Sequence, residues 1–292
     1  MVTRCTSWAY VAAVLLLTGV STATAKYSGG SGTADDPYQI WTAGQMNVIG
    51  TRPDDWDKHF KLMADIDFKT LRGVSFNAIG ADPSYGQPFS GVFDGNGKTI
   101  ANVTCSKPGA TTLGLFGGVQ GSNARIKRLR LTGVTVDAGA GGLVGALAGY
   151  LHSGKIIRCH VEGGSISGGY GVGGLVGICN GTIVSCSSSA SVSVSDVCGG
   201  GLAGENSGVI IRSHSTGQVS ARSSGGGLVG ASTGTVSDSY STGKVSATKG
   251  VRRRISRIQL GKGPQLLLDR RGVSTARRGR TARGHDRTRG RH

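Results

Sequence analysis

From about residue 111 to 247 the hydrophobic pattern is short-range and repetitive. In "GTIVSCSSSASVSVS" (181–195) apolar and polar positions alternate, with β-branched residues on the apolar beats. A period of two predicts strands and argues against amphipathic helices. The strands are interrupted by a glycine phrase that returns as "LGLFG" (113–117), "GGLVG" (141–145), "GGLVG" (173–177), "GGLAG" (200–204) and "GGLVG" (226–230). Its central leucines, Leu115, Leu143, Leu175, Leu202 and Leu228, are 28, 32, 27 and 26 residues apart. Eleven residues after the last three leucines stand Cys186, Ser213 and Ser239, each preceded at five residues by Gly181, Gly208 or Gly234. The 32-residue interval accepts the same columns if it carries a five-residue insertion, which puts Gly154 and Cys159 in register.

A unit of about 27 residues with glycine corners cannot bury its apolar face alone, but stacked neighbours can, which is the logic of a solenoid. The expectation is an all-β chain, a right-handed parallel β-helix with one coil per period. Leucine and valine of the phrase point inward, and serines and threonines line the outside. A β-propeller is disfavoured, because its blades need about 40 residues. The preceding segment differs. "PYQIW" predicts a strand, Thr42 an N-cap for a short helix, "FKLMADIDF" (60–68) a strand, and "FSGVFDGNGKTIANVTC" (89–105) a hairpin-like entry turning at "DGNG". This part is rich in Trp and Phe, as a cap over an exposed solenoid end would be. The predicted organisation is a signal peptide over 1–25, a cap and entry strands over 26–110, repeats over 111–250 and a disordered basic tail over 251–292. The signal reading rests on Arg4, the apolar run from Trp8 to Val20 and the small-residue site Ala23-Thr24-Ala25. It implies a secreted or cell-surface protein with no transmembrane span after cleavage.

The repeated "GGLVG" with trailing "S.S.G.VS" resembles the GLUG-motif repeat of bacterial secreted and surface proteins. The leader "GGSGTADDPYQIWTAGQMNVIG…DDWDKHFKLMADIDF" resembles the segment that precedes those repeats. The resemblance covers about residues 27–250 and implies an exported β-solenoid, in a family where some members carry adhesin-like or IgA-peptidase modules elsewhere. It brings no catalytic residues. The polar residue often found after the phrase is matched to Asn180 and Asn206, with Thr233 in the last repeat as a departure.

Charge changes the picture at one end only. The 292 residues carry a formal net charge of +17. Residues 251–292 hold 14 Lys and Arg against 2 Asp, a net +12, leaving +5 for the rest. The next leucine of the repeat is due near position 254 or 255, where the chain reads Arg254-Ile255. Arg252 to Leu260 can be encoded so that reading one base later gives "GGGLVGYN", another copy of the phrase. The tail is therefore read as an out-of-frame translation. A basic tail that binds anionic polymers is the rival, but it lacks interleaved aromatics and follows an export signal, so nucleic acid is not an expected partner.

Candidate chemistry is sparse. Asp137, Glu162, Asp196, Glu205 and Asp238 share no repeat column, so nothing pairs two carboxylates as a glycosidase requires. His160 and His214 share a column with Ser187 between them, about two strand spacings apart. Cys159 and Cys186 are equivalent in consecutive coils, which leaves a ladder disulfide or a buried stack of small side chains open. Asp35, Asp36, Asp54, Asp55, Asp57 and the "DGNG" turn could suggest calcium, but all are ordinary turn and cap chemistry. No catalytic residue, cofactor or metal ligand is assigned. The reading is a non-enzymatic structural or adhesion module that meets glycan or surface protein, with self-association through an open C-terminal solenoid edge. A carbohydrate-active β-helix enzyme is the alternative.

Overall fold

Each period of the repeat folds as one coil of five short strands. In one coil these are Val176–Cys179, Thr182–Val184, Ser187–Ser188, Ser191–Val194 and Cys198–Gly200. Each pairs in parallel with its equivalent one coil on: Val176 with Ala203, Thr182 with Val209, Ser187 with His214, Val192 with Val219 and Cys198 with Ser224. The strands build five parallel sheets of 8, 7, 6, 6 and 5 members. The chain is thus an all-β parallel β-solenoid of about 6 coils with very little helix. This computed structural model describes residues 26–71, 75–248 and the backbone of 252–253. The signal-peptide reading and all but two residues of the basic tail lie outside the described residues.

The glycine phrase is a tight corner. A Cβ on Gly173, Gly200 or Gly226 would lie 2.0, 1.9 and 1.7 Å from the carbonyl oxygens of Val176, Ala203 and Val229, so these three corners accept only glycine. The same requirement corrects one repeat assignment. "GGLVGALAG" (141–149) contains the phrase pattern twice, and the second copy takes the core position. Gly145, whose Cβ would meet Ala148 O at 2.4 Å, pairs with Gly173. Leu147 therefore takes the place of Leu143 in the leucine column, following Leu115, since Phe116 pairs with Ala148, and N–H bonds run on from Leu147 to Leu175, Leu175 to Leu202 and Leu202 to Leu228. The four leucines so linked are fully buried. Leu143 is displaced onto a strand opposite Thr112 and Gly171 and is only half-buried. The 32-residue interval thus moves to Leu115–Leu147, and the Leu147–Leu175 coil keeps one extra residue between Leu151, opposite Cys179, and Lys155, opposite Thr182.

The leader belongs to the stack. Tyr38–Ile40 pairs with His59–Leu62, which pairs with Val92–Asp94, which pairs with Arg125–Lys127 of the first repeat. The ladder thus runs unbroken across residue 111. "DGNG" is a coil corner and no hairpin, since Val92–Asp94 and Thr99–Ala101 lie in different sheets. The strand read over 60–68 is two strands, His59–Leu62 and Ile66–Asp67, followed by a turn of 3₁₀ helix. The helix Ala43–Ile49 starts at the Thr42 capping box and buries Ala43, Met46 and Ile49. Its core is aromatic: Phe60, Phe89, Phe93 and Phe116 are all essentially inaccessible.

Serines are not confined to the outside. The inward column runs Leu131, Val161, Ser188, Ser215, Ser241. The change to serine follows from glycines on the opposite wall: a Cβ on Gly174, Gly201 or Gly227 would stand about 2 Å from the Oγ of Ser188, Ser215 or Ser241. Small side chains let the two walls close. Beyond the last full coil, Arg252 and Arg253 pair with Gly225 and Gly226.

Candidate functional site

The histidine column is a surface ladder. His160, Ser187, His214 and Tyr240 follow one another in register. His160 Nδ1 meets Ser187 Oγ at 2.8 Å, and the His214 ring stacks on Tyr240 with centroids 5.0 Å apart. A serine beside a histidine has the look of a nucleophile and its base, but catalysis also needs an orienting acid and oxyanion donors. The nearby carboxylate, Glu162, is held by Arg130 at 2.6 Å. The ladder N–H groups are spent: His160 N donates to Leu129 O, and Ser187 N to Cys159 O. Burial, with Arg130 and His214 nearby, pulls the His160 pKa below its ordinary value. The pair is a ladder contact.

Cys159 and Cys186 do stack in consecutive coils, but no disulfide joins them. Their column, continued by Ser213 and Ser239, is a chain of acceptors. Cys159 N–H donates to Cys186 Sγ at 3.4 Å, Cys186 N–H to Ser213 Oγ at 3.1 Å and Ser213 N–H to Ser239 Oγ at 3.0 Å. Each hydroxyl in turn donates to the carbonyl two residues before it, Ser213 to Ile211 and Ser239 to Ser237. This explains why serine can replace cysteine in the later coils of the column: either can accept from a buried N–H. Burial pushes the Cys105 and Cys179 thiols up to about 12, far from the range of a catalytic thiolate.

The two asparagines after the phrase separate. Asn206 occupies the inward column of Cys179 and Ser232 and is buried, whereas Asn180 is exposed and donates to Tyr150 Oη at 2.9 Å. The leader acids are used locally: Asp36 accepts from Ser31 N–H, and buried Asp55 from Tyr27 Oη while pairing with Lys26. Asp94 of "DGNG" is held by Arg128 and Lys127. Among the described residues no three His, Cys, Asp or Glu side chains converge on one point.

Two surface features remain. One sheet presents parallel hydroxyl columns to solvent. Ser106, Asp137, Ser167, Ser193, Ser220 and Ser246 form one; Thr104, Thr135, Ser165 and Ser191 form the other. Rungs recur about every 4.8 Å. Asp137 accepts from Ser167 Oγ at 2.8 Å and from Gly139 N–H at 3.0 Å, which holds its carboxyl below the usual range. The second is a groove of about 720 Å³ between the loop after Ser75 and the coil through 105–113. Asp82, Tyr85, Trp56, Ser106, Lys107 and Thr112 line it. The loop was not singled out from sequence, although "DPSYG" carries a turn signature with an aromatic at its tip.

No family model matches the chain, so the GLUG resemblance rests on the phrases themselves. A 166-residue stretch, 56% of this chain, is 32% identical to "Halomucin" of Haloquadratum walsbyi, of which it spans 2%. A 128-residue stretch is 36% identical to a "Putative Gly-rich membrane protein" of Evansella cellulosilytica, covering 42% of this chain and 14% of that one. The chain thus spans a small fraction of the length of these relatives. Among solved structures, one named "putative immunoglobulin A1 protease" from Bacteroides ovatus superposes with a TM-score of 0.64 at 24% identity, over 76% of this chain and 70% of that one. That likeness establishes the fold. Among the described residues no helix is long and apolar enough to cross a membrane.

Proposed function

We propose that this chain is an exported, non-enzymatic solenoid module that works at or outside the cell surface as a structural or adhesive element. The observation that carries the reading is the hydroxyl-lined sheet, whose two columns run in register over consecutive coils. A stiff parallel stack offers many equivalent, weakly binding polar rungs, and such repetition gains strength through multivalency without any single strong contact. The relatives named as a halomucin and a membrane protein support a surface setting. The signal-peptide pattern at 1–25 supports export. Against an enzymatic role stand the committed ladder N–H groups beside Ser187, the protonated buried thiols and the scattered carboxylates. The same reading includes end-to-end self-association through a C-terminal coil edge, because an unpaired strand edge templates pairing with another chain.

The test is direct. Purified protein is incubated with immunoglobulin A1, in view of the neighbour's name, and with a panel of polysaccharides. Retention of a glycan or surface protein with no cleavage products is expected. Turnover of any of these substrates overturns the non-enzymatic reading. Binding that disappears in high salt and on removal of residues 251–292 supports the anionic-polymer alternative instead.

A further inference from the structure

We propose that the groove beside the loop at 79–89 is a discrete saccharide-binding site, a proposal that rests on the glycan-binding reading above and gives it a place. The loop is fastened at both ends to one strand of the first repeat: Ile79 bridges Phe116, and Phe89 bridges Val119. Ile79 N–H donates to Leu115 O and Phe89 N–H to Gly118 O. Gly80 sits at φ +74°, and a Cβ there would lie 2.5 Å from Gly118 O, so the loop presses onto the sheet with no slack. Between these anchors the tip is a turn organised by one carboxylate. Asp82 Oδ1 accepts the Ser84 N–H at 2.8 Å, while the Asp82 carbonyl accepts from Tyr85 and Gly86.

The outcome is a pairing with chemical meaning. Asp82 is 8% exposed and lines the cavity, and Tyr85, three residues on, is 77% exposed at its rim. Among the large hydrophobics of the described residues Tyr85 is the most exposed. Its position is set by the turn and owes little to packing. Ser106, Lys107 and Thr112, from the coil through 105–113, line the same groove. A pyranose ring has an apolar C–H face that stacks on an aromatic and vicinal hydroxyls that bond to a fixed carboxylate, so this lining suits it. A volume of about 720 Å³ falls within the range of about 300–1,000 Å³ typical of small-ligand sites. Cys105 also lines the groove, its thiol pushed up to about 12 by burial, which makes it a poor nucleophile.

The experiment uses the full chain on an array of neutral gluco-, manno-, xylo- and galacto-oligosaccharides together with trigalacturonate and sialyllactose, followed by titration calorimetry on each probe retained. Tyr85→Ala and Asp82→Asn are compared with Tyr170→Ala, which removes an exposed tyrosine elsewhere. Circular dichroism checks that each variant is folded. The expected result is at least tenfold weaker binding for Tyr85→Ala, weaker binding for Asp82→Asn and no change for Tyr170→Ala. A preference for the acidic probes that disappears in Lys107→Ala would assign an acidic sugar to the same groove; a preference for the neutral ones assigns the Tyr85–Asp82 wall as the selector. Binding that survives Tyr85→Ala and Asp82→Asn overturns this site while leaving the glycan-binding reading standing. Retention of none of these probes overturns both.

Discussion

At one corner of each repeat coil a non-glycine residue holds a left-handed backbone. Arg128, Arg158, Ser185, Arg212 and Asp238 have φ between 49° and 55°. A Cβ in that conformation costs roughly 1 kcal/mol relative to glycine. Arg158→Gly is therefore expected to stabilise the protein by about that much, read as a higher urea midpoint. Arg128 differs, because its guanidinium holds Asp94 through both carboxylate oxygens. Burial would raise the Asp94 pKa, but the Arg128 and Asn96 hydrogen bonds and the Lys127 charge outweigh it and leave the pKa lowered. A depressed carboxylate stabilises the fold above its unfolded pKa of about 4, and that contribution is lost as pH falls through the folded value. Arg128→Gly should thus destabilise at pH 7 and much less at pH 3. An equal cost at both pH values would show that the ion pair is idle. In the cysteine column, Cys186→Ser should be nearly silent, whereas Ser213→Ala strands the Cys186 N–H and should cost about 1–3 kcal/mol. The sequence aligned this column correctly. It could not show the side chains accepting N–H bonds from the neighbouring coil, because that geometry depends on the left-handed corner before them.

At the level of the strand and its corner, room for a Cβ decides which glycines matter. Gly200→Ala would place a methyl 1.9 Å from Ala203 O, in a corner flanked by packed strands on both sides. Backbone cannot retreat there, and the variant is expected to fold poorly or lose several kcal/mol, about the scale of severe overpacking. Gly163 has a positive φ of 64° but nothing within 4 Å of a Cβ, so Gly163→Ala should cost only about 1–2 kcal/mol of backbone strain. Comparable losses in the two variants would refute the corner argument. The same contrast explains the misplaced leucine. Phrase counting weighs "GGLVG" above "GALAG" because it matches better letter by letter. The fold weighs the glycine whose Cβ would meet the carbonyl three residues on, Ala148 O for Gly145 just as Val176 O for Gly173. Period-two strands and the solenoid class were legible because every coil repeats them. The leader's share in the stack was hidden, because its coils carry phenylalanines and a 3₁₀ turn where the repeats carry the phrase.

Over the whole molecule the core thins from one end to the other. Phe60, Phe89, Phe93 and Phe116 fill the early coils, while Ser213, Ser215, Ser239 and Ser241 occupy inward positions in the late ones. Ser215 Oγ and Ser241 Oγ are buried with no hydrogen-bond partner. Less apolar burial and unmade hydrogen bonds both weaken the late coils. In a solenoid each coil also depends on its neighbours, so weakness at an end propagates as fraying. Amide exchange should be fastest over 219–247 and slowest over 89–119; a uniform profile would contradict the gradient. The register at Arg252 and Arg253 turns this into a sharper test. These residues pair where Gly225 and Gly226 stand one coil earlier, and Gly226 is one of the three corners that tolerate no Cβ once closed. In the sequence, Arg254, Ile255, Ser256 and Arg257 stand where the preceding period carries Gly227, Leu228, Val229 and Gly230. Restoring the phrase by Arg252→Gly, Arg253→Gly, Arg254→Gly, Ile255→Leu, Ser256→Val and Arg257→Gly should let another corner close on Leu228. Exchange over 219–247 should then slow by tenfold or more, and thermal unfolding should move upward. If the arginine run were instead a terminus adapted to this edge, the six changes would speed exchange there, and the out-of-frame account of the tail would fall with them.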